Sequence, residues 1–237
     1  MDKTVLSTED TFWNKLYPIG GIAALIQLAS ILIYTVVIAV LGAPPASVEE
    51  YFSAYQSAPV ATLFRGDFLL LFLIGGYFGT FPALFLSLRK VSPVAAILAT
   101  LFTFVAVTVC FATESTFALR HLAEQYAIAD EAQQAQLLAA GEAVIASDMW
   151  HSSGAYVSGI LMQGGGVIIS LVMLRSREFS KVTAIAGLLG NALDLTQHLL
   201  HPFAPSISAP IQMAMGPFYL VWFPMLARDF FRLAKKG

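Results

Sequence analysis

Six long apolar runs, separated by short polar or proline-containing breaks, dominate the sequence, at about residues 19–41, 68–88, 94–113, 150–174, 182–200 and 211–227. Each is close to the roughly 20 residues that a helix needs to cross a hydrocarbon core. Local residues explain the breaks: Pro44-Pro45 closes the first run, Ser92-Pro93 opens the third, and Pro202 follows the fifth. The pattern predicts an all-α, polytopic membrane protein with six transmembrane helices. An N-terminal segment occupies residues 1–18, the transmembrane domain residues 19–227, and a basic tail residues 228–237. The polar stretch before the first run lacks a cleavable signal pattern.

Between the runs, basic residues fall unevenly. Eleven of them, Lys3, Lys15, Arg89, Lys90, Arg175, Arg177, Lys181, Arg228, Arg232, Lys235 and Lys236, lie on one side of a six-span topology; only Arg65 and Arg120 lie on the other. Lysine and arginine are retained on the cytoplasmic side, so this bias predicts that both ends are cytoplasmic. The opposite side holds the longer connections. Ser47-Val48-Glu49-Glu50 fits a helix-capping box. Residues 114–149, rich in Ala, Gln and Glu, predict a helical loop lying across the outer mouth of the bundle.

Composition agrees with this reading. Of 237 residues, 57% are hydrophobic and 12% charged, about half the charge of a soluble domain. A net charge of -2 gives no basis for nucleic-acid binding. The single cysteine, Cys110, excludes an intramolecular disulfide. Multi-pass insertion in a bacterial inner membrane, with the lipid bilayer as principal partner, is the expected setting. Small residues in the second, fourth and fifth runs, Gly75 and Gly166 among them, point to close helix packing. Trp13, Tyr17, Tyr219 and Trp222 are expected in the inner aromatic belt.

One stretch breaks the apolar pattern. GNALDLTQHLLHPF, residues 190–203, carries Asn191, Asp194, His198 and His201, which fall within an arc of roughly 80° on a helical wheel. Asp194 should lie about 9 Å below the outer end of its helix. An acid at that depth is costly unless paired, protonated or ligating, and such residues usually face the bundle interior. All four histidines, His121, His151, His198 and His201, map to the outer side. Glu114 ends the third run, and His121 shares its face if that helix continues.

Several readings fit this constellation. Some of His121, His151, His198 and His201, with Asp194, are candidate ligands for zinc or iron. Metal-bound water would then attack a lipid-like amide or ester, with Glu114 and Asp194 as the catalytic carboxylates. Pro202 should push His201 out of helical geometry. A b-type haem held between His151 and His198 is a further alternative, as is an ion or proton pathway extended by Gln27, Gln163 and Gln212. The remaining alternative is non-catalytic: structural ion pairs and helix anchors in a protein that binds lipid or a partner.

The stretch HLAEQYAIADEAQQAQLLAAGEAVIA, followed by a Gly-rich run and LVMLRSREFSKVTAIAGLLG, resembles an uncharacterised bacterial family of six-span integral membrane proteins. That resemblance implies an integral membrane fold and no activity. By residue types alone, the histidines and acid at one membrane face resemble those of seven-span zinc hydrolases of the ceramidase and progestin-receptor-like group. This chain has one span fewer and lacks their S-x3-H and H-x3-H pairs.

Overall fold

A computed structural model describes residues 13–147 and 151–236 of the chain. Trp150, expected to open the fourth span, and Lys3 lie outside the described residues. Those residues carry eleven whole helices and no strand. The first, α1 (Leu16–Leu41), buries only Gly20, Gly21, Ala23, Ala24, Gln27 and Ser30. These recur every three or four positions, giving one narrow stripe of small residues. Its large aliphatic residues point outward, Val36 being 60% and Val40 74% exposed. In water that inversion would forfeit most of the apolar burial. Beside lipid tails it costs little, and small residues let helix backbones approach closely. A Cβ at Gly20, for instance, would sit 2.5 Å from that of Ala83.

Residues 68–88, expected as one span, break at Gly76 into α4 (Phe68–Gly75) and α5 (Tyr77–Leu88). Gln27 fits against Gly76, where a Cβ would meet its Cγ at 2.4 Å, and donates its Nε2 to the Leu73 carbonyl at 2.9 Å. The small-residue pattern hid a backbone break served by a polar side chain. Next, α6 (Pro93–Thr113) repeats the inversion of α1, with Ala96, Ala99, Thr103 and Ala106 inside and Leu101 outside. It packs most extensively on α9 (Ser153–Arg175). The bundle is completed by α10 (Lys181–Leu200) and α11 (Pro205–Ala234), which pack on each other, α10 also on α9 and α11 on α1.

Four segments are long and apolar enough to cross a membrane: Leu16–Leu41, Phe68–Leu88, Pro93–Tyr126 and Ser153–Arg175. They mark a membrane protein. The expected count was six, and α10 and α11 fall short of that apolarity for identifiable reasons. The inward face of α10 is polar, and α11 contains Pro210, Pro217 and Pro224 besides Gln212.

At one end of the bundle, Asp229 accepts hydrogen bonds from Ser180 N at 3.0 Å and Thr183 Oγ1 at 2.6 Å, tying the start of α10 to α11. This basic end differs from expectation in one respect. The tail from residue 228 is no separate segment, because α11 continues to Ala234 and buries Phe230 and Leu233. Trp222, expected in an aromatic belt, is fully buried in the main core.

The opposite, capped end carries α2 (Val48–Ser57), α3 (Pro59–Arg65), α7 (Thr116–Tyr126) and α8 (Glu131–Ile145). Ser47 Oγ accepts from Glu50 N at 3.2 Å, and Glu50 reaches back to Ala46 N at 2.9 Å, one residue earlier than a standard box. The expected outer-loop helix is therefore a pair, α7 and α8, with Asp130 capping the second through Gln133 N. Val48, Tyr51, Phe52, Tyr55, Leu119 and Ala123 form a small core of their own, with Leu137 and Leu138 packed on it.

Candidate functional site

The polar stripe predicted on the fifth run is present on α10 and faces inward. Asn191, Asp194, Gln197 and His198 are all buried. Asp194 Oδ1 lies 3.0 Å from Gln197 Nε2 and 3.1 Å from His198 Nδ1. Its other oxygen, Oδ2, accepts from the Tyr219 hydroxyl at 2.9 Å. Every polar contact to this carboxyl comes from a neutral group or an imidazole, which is how a buried acid escapes most of its desolvation cost.

Tyr219 joins the helices. Its Oη also lies 3.0 Å from Gln163 Oε1 on α9 and 3.4 Å from Asn191 Oδ1. The hydroxyl has a single proton, and the shortest contact, to the carboxyl, takes it. A Gln163 amide turned through 180° then donates back to the phenolic oxygen. His198 Nδ1 has a similar choice. Protonated, it donates to Asp194; unprotonated, it accepts a hydrogen bond from Gln197 Nε2, 2.8 Å away. Its ring packs over Gly159, where a Cβ would come within 2.3 Å of Nε2. Asn191 is seated in the same way against Gly166, with a Cβ there only 2.0 Å from Oδ1. Small residues on α9 thus make room for the polar side chains of α10.

This cluster forms part of the wall of a cavity of about 570 Å³ between α1, α4, α5, α6, α9, α10 and α11. Ile31, Leu70, Leu73, Ile74, Met162 and Phe223 supply apolar surface. Asp67 and Glu114, at the capped ends of α4 and α6, lie near its top. On α9 the wall runs from Ala155 to Gln163, so the cavity reaches about 12 Å into the bundle at 1.5 Å per residue. Cys110 and Gln212 also line it.

The other expected site residues are distributed differently. Glu114 is in the wall, but its Oε1 accepts from Thr116 N at 2.9 Å and Thr116 Oγ1 at 2.6 Å, capping α7. The helix does not continue through it: Glu114 is extended at φ -66 and ψ 128. His121 therefore loses the stripe that would have joined it to Glu114, and lies exposed on α7. His151, also exposed, lines a separate pocket of about 190 Å³ with Tyr156, Pro202 and Phe203. His201 keeps helical dihedrals despite Pro202, at φ -54 and ψ -46, and its Nδ1 lies 3.3 Å from Ser208 Oγ. Tyr219, expected at the inner interface, is at the centre of the cluster, midway along α11.

Zinc takes three or four protein ligands, with iron sites similarly demanding. Among the described residues, no three His, Cys, Asp or Glu side chains come together as such a metal requires. Asp194 and His198 supply two donors that are already bonded to each other. That donor set does not match the zinc or iron centre expected from the sequence.

Over residues 22–227 the chain matches the family described as a domain of unknown function, DUF4386, and it belongs to that family. No curated protein and no solved structure matches it.

Proposed function

We propose that this DUF4386 member is a six-span protein of the bacterial inner membrane, and that its cavity binds an amphipathic, lipid-like small molecule. The cavity carries the functional reading. Its volume falls within the roughly 300–1,000 Å³ of small-ligand sites, with mostly apolar walls and a few convergent polar groups. Polar groups stand near its top, Asp67 and Glu114, and deeper, the Asp194–His198–Tyr219 cluster, and the apolar side chains of the wall hold the tail. No catalytic step is assigned: among the described residues no three His, Cys, Asp or Glu side chains come together as a metal requires.

Six spans are supported by the outward faces of α10 and α11. Val182, Ile185, Leu189 and Leu199 on α10, and Ile207, Met213, Leu220 and Val221 on α11, are exposed aliphatic side chains. Asn191, Asp194, Gln197 and His198 of α10 and Ser208 of α11 are turned into the bundle, which is the membrane arrangement. With the basic end cytoplasmic, the capped end is periplasmic and the cavity belongs to the outer leaflet half.

The test is photo-crosslinking in nanodiscs with a single-chain phosphocholine carrying a diazirine in its tail. Adducts should map to cavity residues such as Met162, Met215 and Phe223. Adducts confined to bilayer-facing residues such as Leu101 and Val221 would overturn the reading.

A further inference from the structure

We infer that the polar end of the cavity's ligand is cationic, an amphipathic amine or quaternary ammonium. This inference rests on the cavity reading above and narrows its ligand class. Three carboxyl groups line the cavity, Asp67 and Glu114 near the top and Asp194 below, while no described lysine or arginine does. Among the described residues the only basic side chain in the wall is His198, already set against Asp194. The two arginines of the capped end are directed elsewhere. Arg65 donates to the Ala43 carbonyl, and Arg120 pairs with Glu124 at 2.9 Å.

A cation at the top of the cavity would be met by the carboxyl oxygens of Asp67 and Glu114. Deeper, Tyr34, Tyr77 and Tyr219 offer aromatic faces, which attract alkylammonium groups. An anionic headgroup would face carboxylates in a poorly screened setting, with no described guanidinium or ammonium in the cavity wall.

Chain-matched probes separate the ligand class from the existence of the site. Decyltrimethylammonium, decyl maltoside and decyl sulfate, each below micelle formation, would be titrated onto the full chain in nanodiscs. Binding would be read by native mass spectrometry. The ammonium probe should bind at least about tenfold more tightly than the sulfate. In an Asp67→Asn, Glu114→Gln double variant the two should approach parity. Glutamine keeps an acceptor for the α7 cap, so folding is preserved, as circular dichroism would check. Gly216→Leu should abolish binding of the ammonium probe, because Gly216 lines the cavity and a Cβ there meets nothing within 4 Å. Equal binding of all three probes, each lost in Gly216→Leu, would overturn the cationic class while leaving the cavity reading intact. Binding unchanged by Gly216→Leu would overturn both.

Discussion

Removing the Asp194 carboxyl should destabilise the bundle by an amount the geometry lets us bound. Three groups converge on it: Tyr219 Oη at 2.9 Å, Gln197 Nε2 at 3.0 Å and His198 Nδ1 at 3.1 Å. In Asp194→Ala, Tyr219 still has Gln163 and Gln197 still has His198, so the loss is partial. A buried donor left without a good acceptor costs about 1–3 kcal/mol. With one or two such donors, the expected loss is about 2–4 kcal/mol. For a chain of this size each kcal/mol moves the midpoint by roughly 2–4 °C, so Tm should fall by roughly 4–16 °C. Asp194→Asn keeps the shape and one acceptor for Tyr219, and should cost about 1 kcal/mol. Thermal unfolding in nanodiscs, followed by tryptophan fluorescence, measures both. An Asp194→Ala protein as stable as the parent would show that the three-helix polar cluster does not form as described.

Gly166→Leu should be far more damaging than Gly216→Leu, since Gly166 is filled by Asn191 while Gly216 faces open space; yield and monodispersity on size exclusion would separate them. At neutral pH, Tyr51→Phe should be neutral or slightly stabilising, because it removes a buried hydroxyl that has no partner. The same variant should alter alkaline behaviour. A phenol raised from 10 to about 12 in the fold contributes stability that is present below pH 10 and lost as pH rises toward 12. Hydrogen exchange of α2 and α7 over that window should show loosening in the parent and less in Tyr51→Phe. Topology is testable in a Cys110→Ser background: an impermeant maleimide applied to intact cells should label Gln134→Cys and spare Lys235→Cys, and the reverse would invert the orientation.

Much of the helix content was legible because lipid-facing and core-facing positions differ so sharply in residue size. The small-residue stripe of α1 and the inward polar stripe of α10 both follow from helical periodicity and the cost of polar groups in lipid. Asp194 and His198 were accessible on that basis. Tyr219 was not: tyrosine is a residue type that reads as an interfacial anchor, and its bond to Asp194 depends on how α10 and α11 pack together, which no single helix encodes. His121 was misplaced by a single non-helical residue, Glu114, whose extended backbone cannot be inferred from a carboxylate in an otherwise helical pattern. The cavity itself is a property of seven helices together, with Gly216 and Gly159 shaping it in opposite ways, one left open and one filled by His198. No single-helix periodicity encodes that difference.

The occupancy of this cavity can be measured directly by native mass spectrometry of the protein taken from its own membrane into nanodiscs by polymer extraction. A single amphiphile should stay bound at one per chain in the parent and be missing from Gly216→Leu. The same adduct mass on both proteins, or none on either, would contradict a ligand-binding role for the cavity.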